Sequence, residues 1–359
     1  MRPGAGPHEE LWQLWEDGHA VVSLPVRVTF GKQLDIRGFR SIDAAGHRLA
    51  ADEVARAARE LHSDGGADWP SCPCCGAPPS DEPVAHVAGV SYAGCAACGH
   101  AFLARPEPAV LTERFRASDQ IAAVYTDPAA AAFRMRCVVE PKLEWAVEAA
   151  RRASGREPAS VLEIGAGAGH FVSAARSRGL RAEGYEVNES CCGFAREELG
   201  VSLRNVDVLD AEDGGERYDI VTLWGVLEYV PDPVAVIGRA SGWLASDGLM
   251  VIEVPRVESL STGVQRLMPD HVARHMSPAS HLNVFSDASL ATALWAAGLG
   301  ARDAWYFGMD AFELASQLVV ADGIAEETVD ALLGLQADLD RARFVDDIVV
   351  GATAVGTAP

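Results

Sequence analysis

The run Val161-Leu162-Glu163-Ile164-Gly165-Ala166-Gly167-Ala168-Gly169-His170-Phe171 constrains this chain more than any other feature, because an apolar strand breaks into three glycines and resumes as a helix. Glycine lets the backbone turn tightly and lets a ligand approach where a Cβ would otherwise stand. From Ser160 onward, short apolar strands alternate with helical segments, the mark of a parallel sheet covered on both faces. Candidate strands are 160–164, 181–186, 218–223 and 249–254, with later ones near 301–307 and 346–353. The fold class is therefore α/β, doubly wound and Rossmann-like. Residues 311–341 read as helical material inserted before the last strand, with Leu332, Leu335 and Leu339 on one face.

A glycine turn after a first strand also serves dinucleotide-binding enzymes, so spacing and charge must separate the two uses. The dinucleotide fingerprint G-x-G-x-x-G needs its third glycine where this chain has His170. A pyrophosphate also favours a helix N-terminus free of anions, whereas Glu163 stands two residues before the first glycine. A carboxylate there suits a ligand carrying an ammonium and a sulfonium. Glu186, in Gly184-Tyr185-Glu186-Val187-Asn188, ends the next strand, where it can accept both hydrogens of a ribose diol. Asp207, in Asn205-Val206-Asp207-Val208, is placed to meet an adenine amino group. The fourth strand then runs Tyr218-Asp219-Ile220-Val221-Thr222-Leu223 into Trp224-Gly225-Val226-Leu227-Glu228-Tyr229-Val230-Pro231-Asp232-Pro233, at the end of the sheet where open α/β folds bind ligands.

Taken together, residues 155–355 resemble the class I methyltransferases, whose seven-stranded fold binds S-adenosylmethionine with these elements in this order. The resemblance implies that Gly165, Ala166, Gly167 and Gly169 shape the cofactor loop and that Glu163 sits near the methionine end. It further implies that Glu186 with Val187 holds the ribose and Asp207 with Val208 the adenine; Trp224 and Tyr185 read equally as walls of the adenine pocket and as ordinary core. Relatives commonly carry His where this chain has Tyr229, and a polar residue where it has Gly225, so Tyr229 is a candidate donor to an acceptor oxygen. Glu228 reads equally as a helix-start carboxylate favoured by the dipole.

Eight cysteines are present, and four form two C-x2-C pairs, Cys72/Cys75 and Cys95/Cys98. Four thiolates at this spacing suit a tetrahedral zinc with no open position, hence a structural staple. Cys74 is an alternative to a neighbour and His100 a poor fifth candidate; Cys137, Cys191 and Cys192 read as plain thiols. The segment Val90 to Leu103 followed by Arg105-Pro106 is similar to the zinc ribbon that precedes the cofactor domain in a group of small-molecule methyltransferases, many of which act on sugars or natural-product scaffolds.

Methyl transfer is an in-line displacement, so alignment carries most of it, and a base is required only for a protonated acceptor. His271, His275 and His281 cluster after the fifth strand, in a polar stretch long enough to cover an acceptor. The run His281-Leu282-Asn283-Val284-Phe285-Ser286 is similar to a family segment lining the acceptor pocket, which makes His281 the first candidate for base or anchor, with His275 and Tyr229 beside it. A role for His281 in capping or packing the next helix is equally open, and a metal site built from the three histidines is a weaker alternative.

Composition sets outer limits. The chain of 359 residues suggests more than one domain, and its 49% hydrophobic and 23% charged content is that of a globular protein. Its 30 basic against 51 acidic residues give a net charge of −21, which argues against a nucleic-acid partner and for a small neutral or cationic ligand. No apolar run reaches the ~20 residues of a membrane span, and the N-terminus lacks a signal-peptide core, so a cytoplasmic location without membrane partner is expected; a homodimer stays open. The expected division is an N-terminal α/β extension (1–68), the zinc ribbon (69–105), a helical linker (106–155) and the methyltransferase domain (156–359). The reaction expected is methylation of an oxygen or activated carbon on a small molecule; an NAD-dependent dehydrogenase or epimerase, or a non-enzymatic S-adenosylmethionine- or nucleic-acid-binding module, is the rival.

Overall fold

The computed structural model describes residues 7–16, 19–32, 44–61, 68–106, 113, 116, 126, 128–270, 274–325 and 328–355. Its strands are β1 (His8–Glu16), β2 (His19–Phe30), β3 (Ala85–Val87), β4 (Val90–Gly94), β5 (Ala101–Leu103), β6 (Ser160–Ile164), β7 (Arg181–Glu186), β8 (Arg204–Asn205), β9 (Tyr218–Trp224), β10 (Leu244–Pro255), β11 (Asn283–Val284), β12 (Leu299–Phe307) and β13 (Asp347–Ala354). Its helices are α1 (Ala44–Leu61), α2 (Pro128–Arg134), α3 (Glu140–Ser154), α4 (His170–Ser177), α5 (Glu189–Glu198), α6 (Pro233–Ser241), α7 (Leu260–Leu267), α8 (Asp287–Ala296), α9 (Asp310–Val320), α10 (Val329–Leu333) and α11 (Gln336–Ala342). No helix among these residues is long and apolar enough to cross a membrane.

The central strands are almost uninterrupted Val, Ile and Leu because both faces of the sheet are covered. Ile220 packs with Val251, Leu143 and Phe171 on the face of α3 and α4, while Val221, Leu223 and Ile252 pack with Val236, Ile237, Leu290 and Leu294 on the face of α6 and α8. The strand order is β1-β2-β12-β13-β10-β9-β6-β7-β8. β8, β7, β6, β9 and β10 run parallel, and β13 enters antiparallel between β10 and β12.

Seven strands were expected and nine are found, because the hairpin β1–β2 from the N-terminal extension continues the sheet beyond β12. Within this hairpin β2 passes straight through Pro25. The reason lies in register: β12 pairs only with Arg27 to Phe30, so Pro25 has a neighbour on one side alone, where a missing N–H is tolerated. The insertion expected at 311–341 is α9 to α11.

A second sheet, in the order β11-β5-β4-β3, joins two distant parts of the chain. Three strands belong to the cysteine-rich unit; the fourth, Asn283–Val284, comes from the segment after the fifth strand of the main sheet and pairs with Phe102 and Ala101. The two sheets thus meet where the long loops leave the carboxyl ends of the parallel strands.

Candidate active site and its zinc-ribbon support

At that edge, β6, β7 and β9 open around a cavity of about 340 Å3, within the range of small-molecule sites. The turn after β6 is fixed from below: the N–H groups of Gly165 and Ala166 both donate to the carbonyl of Tyr185 at 2.9 Å. Gly165 has φ +70°, and a Cβ there would lie 2.6 Å from Cγ2 of Val226, so only glycine lets this turn lie flush against the loop after β9. The N–H of Gly167 donates to Oε2 of Glu186 at 2.7 Å, and that of Asn188 to Oε1 at 2.7 Å. A carboxylate therefore already holds the amide that a pyrophosphate would require, which removes the dinucleotide reading on electrostatic grounds.

Of the expected cofactor residues, Glu163, Gly165, Ala166, Gly167, Glu186, Val187, Asp207, Val208 and Trp224 all line the cavity. Gly169 does not. It lies beneath, where a Cβ would come within 2.9 Å of Ala195, and so packs the turn onto α5. Asp207 reaches the wall with both oxygens in use, Oδ1 accepting from Leu209 N at 3.0 Å and Oδ2 from Arg116 at 2.8 Å. Tyr185 also lines the cavity, although it is buried with its ring edge-on to Trp243.

Glu163 carries the clearest chemical demand. Its side chain is buried and Oε2 has no hydrogen-bond partner among the described residues. Burial pushes its carboxyl well above the ordinary carboxylate range, Lys142 works against this, and Glu186 adds to it. A buried acceptor without a donor is costly, and a cation entering the cavity removes that cost. Burial also raises the Glu186 carboxyl, against the pull of its backbone donors Asn188, Gly167 and Val187. His170, first in α4, has an Nε2 without a partner among the described residues and is held down to about 4 by burial and Arg134, so it meets the cavity as a neutral ring.

Lys142 was not singled out by the sequence. It projects from α3 into the cavity wall, forms an ion pair with Glu253, and lies 5.0 Å from the Trp224 ring centroid. A lone lysine in an Ala-rich helix carries no local signal, and only the packing of α3 on β9 and β10 gives it a role.

On the opposite wall stands Tyr229, whose ring meets that of His281 edge-on at 5.2 Å. Nδ1 of His281 lies 2.6 Å from the carbonyl oxygen of His275. A carbonyl can only accept, so Nδ1 carries the proton and Nε2 keeps a lone pair. Burial holds this ring down to about 4, with the His275 carbonyl acting in the opposite sense. Glu228, just before Tyr229, does lie in the first turn of a short 3-10 helix (Leu227–Tyr229), but it is buried with Oε2 unpartnered among the described residues, and its carboxyl is pushed well up by burial and by Glu253 and Asp347.

Neither His281 nor His275 lines the cavity, and His281 meets it only through the ring of Tyr229. His275 is buried, with Nε2 2.9 Å from Thr262 Oγ1 and Nδ1 3.6 Å from Glu313. His271 lies outside the described residues. Because the His275 ring faces α7 and α9 while His281 faces Tyr229, these two do not converge on one ion. The ligand atoms of His275, Glu313 and Asp346 do approach within 4.8 Å, but the guanidinium of Arg274 bonds both carboxylates and answers their charge.

The cysteine-rich unit supports this wall. The Sγ atoms of Cys72, Cys75, Cys95 and Cys98 lie within 4.8 Å of one another, with Cys72–Cys98 at 3.6 Å and Cys75–Cys95 at 3.5 Å. Four thiolates on a tetrahedral zinc at ~2.3 Å stand roughly 3.8 Å apart, so the donor set fits that ion. His100 is excluded as a ligand, since its ring nitrogens meet Asn283 Oδ1 at 3.0 Å and Ser289 Oγ at 3.3 Å. From β4, the Tyr92 hydroxyl donates to the carbonyl of His281 at 3.0 Å.

Residues 141–302 match the family model described as a methyltransferase domain. The match runs from α3 into β12 and makes this span a methyltransferase domain. Among curated relatives, a ubiquinone biosynthesis O-methyltransferase from Bordetella parapertussis is 33% identical over 146 residues, 39% of this chain and 57% of the relative. One of the same description from Pseudomonas savastanoi pv. phaseolicola is 39% identical over 83 residues, 21% of this chain and 36% of the relative. The chain thus spans between about a third and little more than half of the length of these proteins. Among solved structures, the CcbJ methyltransferase from Streptomyces caelestis aligns with a TM-score of 0.43 at 17% identity, covering 66% of this chain and 97% of that one.

Proposed function

We propose that this methyltransferase uses S-adenosylmethionine to methylate an oxygen, or an activated carbon, of a small-molecule acceptor such as a sugar or natural-product intermediate. The observation that carries the reading is Glu163, a buried carboxyl whose Oε2 lacks a donor among the described residues, in a cavity that Glu186 also lines. In this reading Glu163 meets the ammonium end of the cofactor, Glu186 the ribose hydroxyls, and Asp207 with Val208 the adenine edge, while Trp224 and Lys142 close the side toward the acceptor.

S-adenosylmethionine, when bound, supplies an electrophilic methyl group on a sulfonium. The protein's part is alignment and proton handling. Two rigid supports hold the acceptor wall: Asn283 ties the loop 227–230, and Tyr92 fixes the carbonyl of His281. A neutral His281 with Nε2 unprotonated can take the proton of an acceptor hydroxyl, and its weak basicity suits a hydroxyl that is itself acidic. Tyr229 is placed to donate to an acceptor oxygen. Zinc held by Cys72, Cys75, Cys95 and Cys98 would lock the ribbon that carries Tyr92 and His100. The O-methyltransferase description of the curated relatives supports oxygen as the site of transfer.

Titration calorimetry of the full chain with S-adenosylmethionine, S-adenosylhomocysteine and NAD tests the reading. Binding of the first two at micromolar concentration is expected, and binding of NAD alone overturns it.

A further inference from the structure

Beyond the cofactor cavity, the sheet sets a second row of polar groups across its carboxyl edge. Trp224 stands in register with Glu253 of β10, Glu253 with Val349 of β13, and Asp347, two residues earlier and on the same face, with Phe307 at the end of β12. β2 runs parallel to β12, Phe30 beside Tyr306, so the N-terminal hairpin leaves the sheet at this same edge. Its exit is fixed: Gly31 N donates to the Tyr306 carbonyl at 2.8 Å and Trp305 Nε1 to the Gly31 carbonyl at 2.7 Å. The next residue, Lys32, places its ammonium 4.8 Å from the Phe307 ring centroid and 6.0 Å from that of Trp305.

The charges in this row are not all answered. Lys142 pairs with Glu253. Lys32 and Asp347, both half-buried, have no ion-pair or side-chain hydrogen-bond partner among the described residues. Burial holds the Lys32 ammonium down to about 8, with Lys142 adding to the effect, and pushes the Asp347 carboxyl up to about 7, with Glu253 adding. Lys32 and Asp347 attract each other across the row but share no direct bond, and a sheltered cation and carboxylate in this state are ready for a ligand that completes them. The row begins at Trp224 and Lys142, which line the cofactor cavity itself.

We propose that Lys32 and Asp347 form the recognition subsite for the acceptor, Lys32 binding an anionic oxygen and Asp347 accepting from a hydroxyl, so that the acceptor is a hydroxylated acid. The inference rests on the methyltransferase reading and gives the hairpin β1–β2 a purpose, since it extends the sheet as far as is needed to deliver Lys32. Neighbouring charges that face the pair are Glu253, Lys142 and, through Asp347, Arg274.

The test uses the full chain saturated with S-adenosylhomocysteine and two probes of equal size, 3,4-dihydroxybenzoate and 3,4-dihydroxybenzyl alcohol, titrated by calorimetry. The wild-type protein should bind the acid at least about tenfold tighter than the alcohol, Lys32→Met should abolish that preference, and Lys32→Arg should retain it, with the affinity for S-adenosylhomocysteine equal in all three. Equal affinity for the two probes in the wild type, binding of neither, or a preference that survives in Lys32→Met overturns the subsite. Failure of the wild type to bind S-adenosylhomocysteine strikes instead at the methyltransferase reading.

Discussion

Nε2 of His100 donates to Oδ1 of Asn283 at 3.0 Å, and Asn283 in turn donates from its own amide to the carbonyls of Leu227 at 3.0 Å and Val230 at 2.8 Å. One fully buried amide thus joins the cysteine-rich unit to the loop that carries Glu228 and Tyr229. Asn283→Leu would strip partners from three buried polar groups at once. With each orphaned group costing ~1–3 kcal/mol, a loss of about 3 kcal/mol or more is expected in urea unfolding, and a loss under about 0.5 kcal/mol would show the link to be incidental.

The same connection makes metal content a structural variable at the active site. Metal analysis should return about one zinc per chain, in line with a closed four-thiolate site. Cys98→Ser should release it and lower the melting temperature, because the Cys98 carbonyl also receives the hydroxyl of Ser286, the N-cap of α8. A folded, metal-free protein that melts at the wild-type temperature would refute the staple.

Glu186 has a testable double role, ordering the glycine turn and meeting a ribose. Glu186→Gln keeps the size but turns an acceptor oxygen into a donor that faces the N–H of Gly167 or Asn188. Hydrogen bonds to charged groups contribute about 1.5–3 kcal/mol, so affinity for S-adenosylhomocysteine should fall by about ten- to a hundredfold in calorimetry. An unchanged affinity would take Glu186 out of the cofactor site.

How much of this was legible beforehand follows from whether a residue's role is local. The glycine turn and its carboxylates could be read because strand, turn and acid lie within a few residues of one another, and Glu163, Gly165, Gly167 and Glu186 line the cavity as expected. The cysteine pairs were legible for the same reason. Lys142, Lys32 and Asp347 were not, since each gains its role from neighbours that the sheet brings across more than a hundred residues, and a lone charge has no period. His275 misled because spacing placed it near His281, whereas the backbone turns it toward Thr262 and Glu313. Gly184 passed without notice, although a Cβ there would meet Ala166, Leu203 and Val172 at 2.8 to 2.9 Å. Gly184→Val should therefore cost about 1–3 kcal/mol of stability by overpacking, read from the urea midpoint.

His281 offers the sharpest pH test. An ordinary histidine titrates near 6.5, and this one is held down to about 4. Between those values the unfolded chain binds a proton that the folded chain refuses, so the ring's contribution to stability is complete above pH 6.5 and is lost as pH falls toward 4. Asp347 and Asp340, pushed up to about 7 and about 6, act with the opposite sign over much of the same window, so the wild type alone does not isolate the histidine. The difference between the wild type and His281→Asn does: it should be flat above pH 6.5 and move against the wild type as the solution is acidified. Ring signals of His281 in NMR should stay put from pH 7.5 to 5.5, and a midpoint near 6.5 would mean that the lone pair on Nε2 is not held available by the fold.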